Sequence, residues 1–243
     1  MKSNYLPTDY QTFIATSRYA RWLEEEGRRE TWGETVGRYM TNIVSPWLTP
    51  TIEKEICDAI LSLEVMPSMR SLMTAGKSSA RDNTCMYNCS YLPVDDPKSF
   101  DEAMFILLCG TGVGFSVERQ FITKLPEVPS LFDSDTTVVI KDSKEGWAKG
   151  LRQVLALLWA GEIPKWDVSK VRPAGARLKT FGGRASGPAP LVDLFNFAVT
   201  TFKAAQGRRL SSIECHDLMC KIGEVVVVGG VRRSAMISLS NLS

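Results

Sequence analysis

Apolar positions in the first part of the chain recur at helical spacing. Helix start signals stand at Asp9, at Thr31 with Glu34 three residues later, and at Thr51, each ahead of apolar residues three or four positions apart. Asp and Thr are favoured helix N-caps, and the Thr-x-x-Glu spacing is that of a capping box. A period near 3.6 residues indicates amphipathic helices. The pattern therefore predicts an N-terminal helical lobe over residues 1–80.

After residue 80 the pattern changes to short alternating runs, glycine clusters and further helical periods. Alternation predicts strands over Thr84–Val94 and Gly112–Glu118. Glycine and serine fill one face of the second strand, so another group can approach its backbone closely. Helices are predicted from a capping box at Ser99 and over residues 145–160, 191–202 and 211–226. This mixture indicates an α/β architecture.

Residues 172–190 are too rich in glycine and proline for regular structure and predict a long loop, which in compact domains is commonly functional. The basic residues of this loop are Arg172, Arg177, Lys179 and Arg184. Arg and Lys side chains beside free backbone amides suit a polyphosphate, so a nucleotide is a better candidate ligand than a nucleic acid. For Arg208 and Arg209, a place on a solvated surface is an equally good interpretation.

The composition narrows the classes of protein. The chain has 243 residues, of which 44% are hydrophobic and 23% charged, and its net charge is +2. These values are typical of a soluble globular protein and argue against a strongly basic nucleic-acid binder. No apolar run approaches the ~18 residues of a membrane span, and residues 1–7 lack the apolar core of a secretory signal. We therefore expect a cytoplasmic protein without a membrane partner, built as one large domain plus a helical lobe.

Six cysteines and a single histidine restrict the possible chemistry. In a reducing compartment, cysteines are more often buried thiols, redox groups or ligands than structural bridges. In an extended strand Cys85 and Cys89 would lie about 13 Å apart, beyond the ~7 Å reach of a disulfide. One of them pairs with a distant cysteine, or both are buried apolar residues, and both alternatives stay open.

No metal site is predicted. Cys215 and Cys220 lie five residues apart on a predicted helix and face different directions, while His216 and Cys220 supply only two ligands. We expect Cys215 to be buried in an apolar core. A thioredoxin-like or metal-binding redox protein is poorly supported, because no Cys-x-x-Cys pair is present.

The glycine cluster at residues 110–114 follows a predicted helix and opens a predicted strand. A dinucleotide fingerprint has the opposite order, with the glycines between a strand and a following helix. Two interpretations stay open for Gly110, Gly112 and Gly114. They form a tight turn, or their backbone amides contact a ligand.

Several ordered motifs carry a family resemblance across essentially the whole chain. They are Asn88-Cys89, Gly-Thr-Gly-Val-Gly-Phe-Ser-Val at 110–117, Arg-Pro-Ala-Gly-Ala at 172–176, Phe-Gly-Gly-Arg-Ala-Ser-Gly-Pro at 181–188 and Gly-Val-Arg-Arg-Ser-Ala at 230–235. Together they resemble the adenosylcobalamin-dependent ribonucleoside-triphosphate reductases, the monomeric branch of class II ribonucleotide reductases.

The resemblance implies a fold and a reaction. The helical lobe would be followed, over residues 81–243, by the first half of the family's ten-stranded α/β barrel with its effector and specificity loops. Cys89 falls on the redox cysteine of the first barrel strand, which forms a disulfide with a later cysteine. Such enzymes reduce ribonucleoside triphosphates for DNA synthesis, with adenosylcobalamin as cofactor and thioredoxin or another dithiol as reductant.

The resemblance also implies binding residues for a ribonucleotide substrate and for an allosteric deoxynucleotide effector. The substrate residues would be Ser68, Asn88, Thr111 and Gly112. The effector residues would be Asp96, Arg119, Arg177, Lys179 and Arg184, the last three within the loop that relays effector identity to substrate choice.

The sequence also departs from the family. The Asn-Pro-Cys-Gly-Glu loop of the radical cysteine, the second redox cysteine and the C-terminal cysteine pair are not found, and residues 237–243 stop in a strand-like pattern. We therefore expect the N-terminal part of a reductase, inactive without its C-terminal part and prone to associate through an open sheet edge. The alternative is a non-catalytic nucleotide-binding or partner-binding module derived from that enzyme.

Overall fold

The computed structural model describes residues 6–176, 184–228, 231–232 and 235–241. It divides the chain into two compact units, Met1–Asn88 and Cys89–Ser243. The division falls after Asn88, whereas the sequence predicts a boundary at residue 80.

The first unit is mainly helical, as expected. Its helices are α1 (Asp9–Ile14), α2 (Trp32–Tyr39), α3 (Pro50–Leu61), α4 (Met69–Thr74) and α5 (Lys77–Arg81). Two π-helical turns, Ala15–Tyr19 and Met40–Val44, continue α1 and α2, and 3-10 turns span Ser45–Trp47 and Asn83–Met86. A short antiparallel pair joins β1 (Trp22–Leu23) and β2 (Arg28–Arg29).

The predicted helix starts are confirmed in part. The capping box at Thr31 is present, with the Thr31 amide donating to Glu34 at 2.7 Å and the Glu34 amide donating to Thr31 Oγ1 at 3.3 Å. Thr8 rather than Asp9 caps α1. Helix α3 begins at Pro50 rather than after Thr51, because the fixed φ of proline suits the first helical position.

A buried ion pair organises the first unit. The Arg38 guanidinium donates to both carboxylate oxygens of Glu30, at 2.8 and 2.9 Å, and to the carbonyl oxygens of Leu72 and Ala75 at 2.8 and 3.0 Å. Glu30 is 7% exposed. Glu30 directly follows β2, while Leu72 and Ala75 lie in the last part of α4 and just after it. Because one guanidinium binds all three residues, it holds β2 and α4 against α2.

Burial alone would raise the pKa of Glu30, but hydrogen bonds outweigh it. Arg38, the backbone amide of Arg21 and the hydroxyl of Thr35 all donate to the carboxylate, and the pKa of Glu30 is therefore lowered from its ordinary value. Donors to the ionised form favour that form. Glu30 therefore remains ionised inside the unit.

The second unit alternates strands and helices. In chain order its elements are β3 (Cys89–Pro93), α6 (Lys98–Leu108), β4 (Gly112–Ser116), α7 (Arg119–Ile122), β5 (Phe132–Val139), α8 (Lys144–Trp159), β6 (Glu162–Asp167), α9 (Ala189–Ala204), α10 (Ser212–Val225), β7 (Val227–Val228), β8 (Val231–Arg232) and β9 (Met236–Ser238). This order confirms the predicted mixture of helices and strands.

Three parallel strands form the sheet that positions the candidate site. Its order is β3-β4-β9, with Cys89 opposite Gly112 and Gly114 opposite Ile237. A second parallel pair joins β5 to β6, and β7 and β8 form an antiparallel pair. Parallel neighbours need a crossover, which α6 supplies between β3 and β4.

Helices α6, α8, α9 and α10 pack into one apolar core with the sheet. Phe100, Phe115, Phe195 and Phe202 are each at most 1% exposed there. The Trp159 and Phe202 rings meet edge to face, with centroids 4.7 Å apart. Apolar residues on these helices recur at the spacing from which the helices were predicted, so burial of one stripe per helix explains the packing.

Two predictions near the boundary between the units are wrong. Asn83–Met86 is a 3-10 turn, so the strand begins at Cys89 rather than Thr84, and the extended distance between Cys85 and Cys89 does not apply. Ser99 is not the N-cap of α6. The N-cap is Pro97, and Ser99 Oγ donates instead to the Pro93 carbonyl oxygen at 3.0 Å, so this hydroxyl binds the end of β3 and does not cap the helix.

Strands β5 and β6 were not predicted. Polar residues fill most of β5, seven of whose eight residues are not buried, so no apolar face marked it. Among the described residues, no helix has the length and apolar character needed to cross a membrane.

Replacing Arg38 by Gln should destabilise the first unit by about 3–5 kcal/mol, because the buried Glu30 carboxylate loses its counter-charge. Hydrogen exchange of the α2 amides, followed by mass spectrometry, measures this loss. The matched control is Arg28→Gln, which removes an exposed pair with Glu34 and should change exchange much less. Equal effects of the two substitutions would contradict the role of the buried pair.

The same pair predicts a pH dependence. The pKa of Glu30 is lowered on folding. Its contribution to the free energy of unfolding is therefore fully present above the ordinary glutamate pKa of 4.5, and it is lost as the pH falls through the lower pKa of the folded state. Exchange of the α2 amides should therefore accelerate in acid, and in Glu30→Gln this part of the acceleration should be missing.

Candidate functional site

One face of the three-stranded sheet is exposed and the other is buried. Residues paired across parallel strands point to the same side, so Cys89, Tyr91, Gly112, Gly114 and Ile237 share a face. Tyr91 and Ile237 are 54% and 59% exposed on it. The second unit therefore presents an open sheet face with a cysteine at one end.

Gly114 lies where two chain segments pack closely. A Cβ atom added at Gly114 would lie 3.2 Å from Leu239 Cδ1 and 3.6 Å from Ile237 Cγ2. The segment after β9 is held there because the Leu239 amide donates to the Phe115 carbonyl oxygen at 2.8 Å. At this position glycine lets two chain segments approach each other.

The amino end of the sheet gathers several predicted site residues. Cys89 is exposed at the first position of β3, next to Gly112, and Ser90 Oγ donates to the Gly112 carbonyl oxygen at 2.9 Å. Gly110 has a φ of 82°, which permits the tight turn out of α6, so the turn interpretation is confirmed for this glycine. Thr111 is buried at 1% exposure, so its side chain does not face solvent.

The carboxyl end of the sheet holds Asp96 and Arg119, both exposed. Asp96 Oδ1 accepts a hydrogen bond from the Lys98 amide at 2.8 Å and so begins α6. Arg119 is the first residue of α7, just beyond β4. Since β3 is about 13 Å long, these two residues lie at the opposite end of the sheet from Cys89.

A cleft of about 150 Å³ lies at the end of α6 that leads toward Gly112. Its polar lining includes Lys144, Arg172, Ser186 and the carboxylate of Asp142, and Arg172 Nε donates to Asp142 at 2.8 Å. The sequence did not single out Lys144, because it marks only a helix start. Since Asp142 neutralises Arg172 and much of the remaining lining is apolar, the cleft has a mixed lining and is not a purely cationic one.

The described ends of the long loop are held together. The amide of Ala185 donates to the carbonyl oxygen of Ala176, and that of Gly175 to the carbonyl oxygen of Ala185, both at 2.8 Å. Arg184 is exposed, and its guanidinium donates to the Gly175 carbonyl oxygen at 3.0 Å. Arg177 and Lys179 lie outside the described residues.

The predicted effector residues that the structure describes, Asp96, Arg119 and Arg184, do not meet at one place. Asp96 precedes the first residue of α6, whereas the cleft beside the Arg184 loop includes the last one, Leu108. Helix α6 has 11 residues. At 1.5 Å per residue the two positions are about 16 Å apart.

Two predicted substrate residues belong to the first unit. Ser68 is the N-cap of α4, and its Oγ accepts a hydrogen bond from the Ser71 amide at 3.2 Å. Asn88 is exposed and is the last residue of that unit. Ser68 therefore has a structural role in capping, whatever else it contacts.

The cysteines differ sharply in environment. Burial, together with nearby Glu214, raises the pKa of Cys215 to about 12, which confirms its expected place in the core. Cys220 is exposed, and its pKa is raised by partial burial and by Asp217. Within the described ranges, no group of three His, Cys, Asp or Glu side chains could hold a metal ion.

The two arginines left open by the sequence are held in surface ion pairs. Arg208 donates to both carboxylate oxygens of Glu214 at 2.7 Å, and Arg209 donates to Glu127 at 2.9 Å. The Arg208–Glu214 contact joins the capping box of α10 to the preceding turn. Both contacts support the surface interpretation of these arginines.

Comparisons with known proteins agree with the motifs. Residues 131–201 match the family described as B12-dependent ribonucleotide reductase, insertion domain. The chain is 28% identical, over 92% of its own length, to the adenosylcobalamin-dependent ribonucleoside-triphosphate reductase of Lacticaseibacillus paracasei. A reductase described as putative, of the same name, from Mycobacterium phage D29 is also 28% identical, over 91% of this chain.

A solved structure, described as a B12-dependent (class II) ribonucleotide reductase, superposes with a TM-score of 0.75 at 24% identity. It covers 93% of this chain and 41% of the solved chain, and it shows a shared fold. The resemblance to class II ribonucleotide reductases is confirmed. The chain spans about 40% of the length of the curated reductases it matches, in their N-terminal part.

The match to the insertion domain adds a segment that the sequence motifs did not reveal. It contains β5, α8, β6 and most of α9. A β-branched run at residues 136–140 was the available strand signal, but the polar residues before it masked the alternation. The insertion supplies α8, whose first residue Lys144 lines the cleft.

Thiol labelling tests the cysteine environments. Under native conditions at pH 8, an alkylating reagent should label Cys89 at least about 100-fold faster than Cys215, because Cys89 is exposed whereas burial keeps the reagent from Cys215 and raises its pKa to about 12. Peptide mass spectrometry over a time course gives each rate. In guanidinium all six cysteines should react. Equal native rates at Cys89 and Cys215 would contradict the placement of β3 and α10.

Proposed function

We propose that the chain is the N-terminal part of a class II ribonucleotide reductase that converts ribonucleoside triphosphates to 2′-deoxyribonucleoside triphosphates for DNA synthesis. The observation that carries this proposal is the exposed Cys89 thiol at the start of β3, directly beside Gly112 on an open sheet face. The names of the relatives supply the reaction class, and the sheet supplies a reachable thiol where that reaction needs one.

The sheet of the second unit is the first part of a ten-stranded barrel in this proposal. Strands β3 and β9 lie at the two edges of the order β3-β4-β9. Tyr91, Ile237 and Leu239 are exposed although apolar or aromatic. Further strands from the C-terminal part would pair with an edge strand and cover this face. They would thereby remove both the unpaired strand edge and the exposed apolar surface.

Cys89 supplies one sulfur of the reducing dithiol. As Cys89 and a cysteine of the C-terminal part form a disulfide, they give up two electrons and two protons. The electrons reduce C2′ of the ribose, whose hydroxyl leaves as water. A disulfide needs its two Cα atoms within ~7 Å, so the partner strand must lie across the face that carries Cys89. Thioredoxin or another dithiol then restores both thiols.

The substrate would lie against the amino end of the sheet. Gly112 leaves its backbone open beside Cys89, and Asn88 directly precedes the cysteine. Thr111, being buried, would act through its backbone rather than its hydroxyl. Ser68, the N-cap of α4, is a further substrate residue that the family resemblance implies. The absence of a side chain at Gly112 suits the close approach of a ribose and its phosphates.

The effector would bind where the family places its deoxynucleotide, with Asp96 and Arg119 at the carboxyl end of the sheet. The loop that contains Arg177, Lys179 and Arg184 would relay the identity of the effector to the substrate. Helix α6 runs from Asp96 to the turn before Gly112. A rigid element with one nucleotide at each end is a physical means of coupling their affinities.

Adenosylcobalamin would supply the radical that starts the reaction. Three clefts of the second unit measure about 150, 500 and 590 Å³. These volumes suit small ligands. We therefore assign none of these three clefts to the cofactor.

Reconstitution tests the reductase proposal. The 243-residue chain mixed with the C-terminal part of a related reductase should form deoxynucleotide in the presence of adenosylcobalamin and a dithiol. Cys89→Ser should abolish multiple turnover while nucleotide binding persists, because the disulfide cannot form. The matched control is Cys220→Ser, another exposed cysteine, which should retain activity. Retained multiple turnover in Cys89→Ser would refute the redox assignment.

Calorimetry with the four deoxynucleoside triphosphates tests the effector assignment. Arg119→Gln should weaken binding by about 10-fold or more, because a charge-assisted hydrogen bond to phosphate is worth about 1.5–3 kcal/mol. Lys165→Gln, an exposed cation of the same unit, is the matched control and should bind normally. If none of the four nucleotides gave detectable heat, the isolated chain would have no effector site. Binding without turnover after reconstitution would favour the non-catalytic module.

A further inference from the structure

A cysteine and a lysine meet inside the second unit. Cys109 follows the last residue of α6 and is 2% exposed, while Lys144 is the first residue of α8. Lys144 Nζ lies 3.0 Å from Cys109 Sγ. Neither residue belongs to the proposed reductase chemistry.

Both atoms are held by rigid elements. Lys144 Nζ also lies 4.8 Å from the centroid of the Phe105 ring, which fixes the ammonium group over α6. The amide of Cys109 donates to the Phe105 carbonyl oxygen at 3.0 Å, so the cysteine is fixed at the helix end. Near the start of α6, Asp101 contacts Arg152 of α8 at 2.7 Å. The helices are therefore antiparallel and anchored at both ends.

The environment favours oxidation at this pair. A lysine ammonium beside a thiol favours the thiolate, the form of cysteine that reacts with oxidants. Lys144 lines the open cleft of about 150 Å³, so a small oxidant can reach it from solvent. The other cysteines at least 95% buried have different neighbours: Cys85 Sγ donates to the Asp82 carbonyl oxygen at 3.3 Å, and Cys215 lies in the apolar core.

We propose that Cys109 and Lys144 form a covalent redox site, in which dioxygen joins Cys109 Sγ to Lys144 Nζ through one bridging oxygen atom. Sulfur and nitrogen each lose two electrons, and dioxygen takes all four. One oxygen atom stays in the S–O–N bridge. The thiolate–ammonium pair carries the same three hydrogens as a thiol and a neutral amine, and two of them leave with the other oxygen atom as water. Two dithiol molecules reverse the reaction and release the bridging oxygen as a second water.

The bridge would act on the turn that leads to the candidate site. Cys109 and Lys144 are 35 residues apart in sequence, and their linkage would close this segment and restrict the unfolded chain. Gly110 and Thr111 follow Cys109 directly and precede Gly112. Oxidation would therefore fix the entry to β4 and stabilise the α6–α8 pair.

Mass spectrometry of the 243-residue chain tests the proposal. After exposure to air, the intact chain should gain the mass of one oxygen atom less two hydrogen atoms, and a proteolytic digest should contain Cys109 and Lys144 in one cross-linked peptide. Dithiothreitol should remove both signals. Cys109→Ser and Lys144→Arg should each lose the cross-link, whereas the matched controls Cys215→Ser and Lys149→Arg should retain it.

A second measurement does not depend on any variant. The oxidised chain should unfold at a temperature a few degrees higher than the chain reduced by dithiothreitol, because the bridge restricts the unfolded state. The proposal is overturned if no cross-linked peptide forms in the oxidised chain. It is equally overturned if Cys109 is oxidised alone while Lys144 stays unmodified, or if dithiothreitol leaves the cross-link intact.

Discussion

The crossover from β3 through α6 to β4 fixes the position of each candidate residue in the second unit. Parallel pairing places Cys89 opposite Gly112, and this requires α6 to lie on one side of the sheet. Phe100, Met104 and Leu107 on α6 are at most 1% exposed. Their burial anchors the helix, since each such side chain is worth about 1.5–3 kcal/mol. One sheet face is thereby filled, and the face with Cys89 is left open.

Two buried carboxylates show how the polar groups of the chain are held. Glu30 accepts hydrogen bonds from Arg38, from the Arg21 amide and from Thr35, and its pKa is lowered. Asp101 is also buried, and burial raises its pKa although Arg152 contacts it. Within the described residues Asp101 Oδ1 has no hydrogen-bond partner. The number of donors, more than burial, therefore decides which charge is well stabilised.

Helix α6 also connects the chemistry at the two ends of the sheet. Its first turn is set by Asp96, and its end leads through Cys109 and Gly110 to the strand beside Cys89. Helix α8, contributed by the segment that matches the insertion domain, packs along α6 and brings Lys144 to that end. A shift of α6 would thus displace the predicted effector residues at its start, the cysteine–lysine pair at its end and the strand beside Cys89.

The sequence by itself determined the helical lobe, the α/β alternation, the capping box at Thr31 and the resemblance carried by the motifs around Cys89 and Gly110, because these signals are local. The 3-10 turn at Cys85 and the start of α6 depend on contacts within six residues that the sequence pattern did not signal. Only the tertiary structure decided three features: the position of Cys89 beside Gly112, the pairing of β5 with β6, and the contact of Cys109 with Lys144. Each of these depends on contacts between residues far apart in sequence. Such contacts outweigh local propensity wherever a segment is anchored by the packing of another.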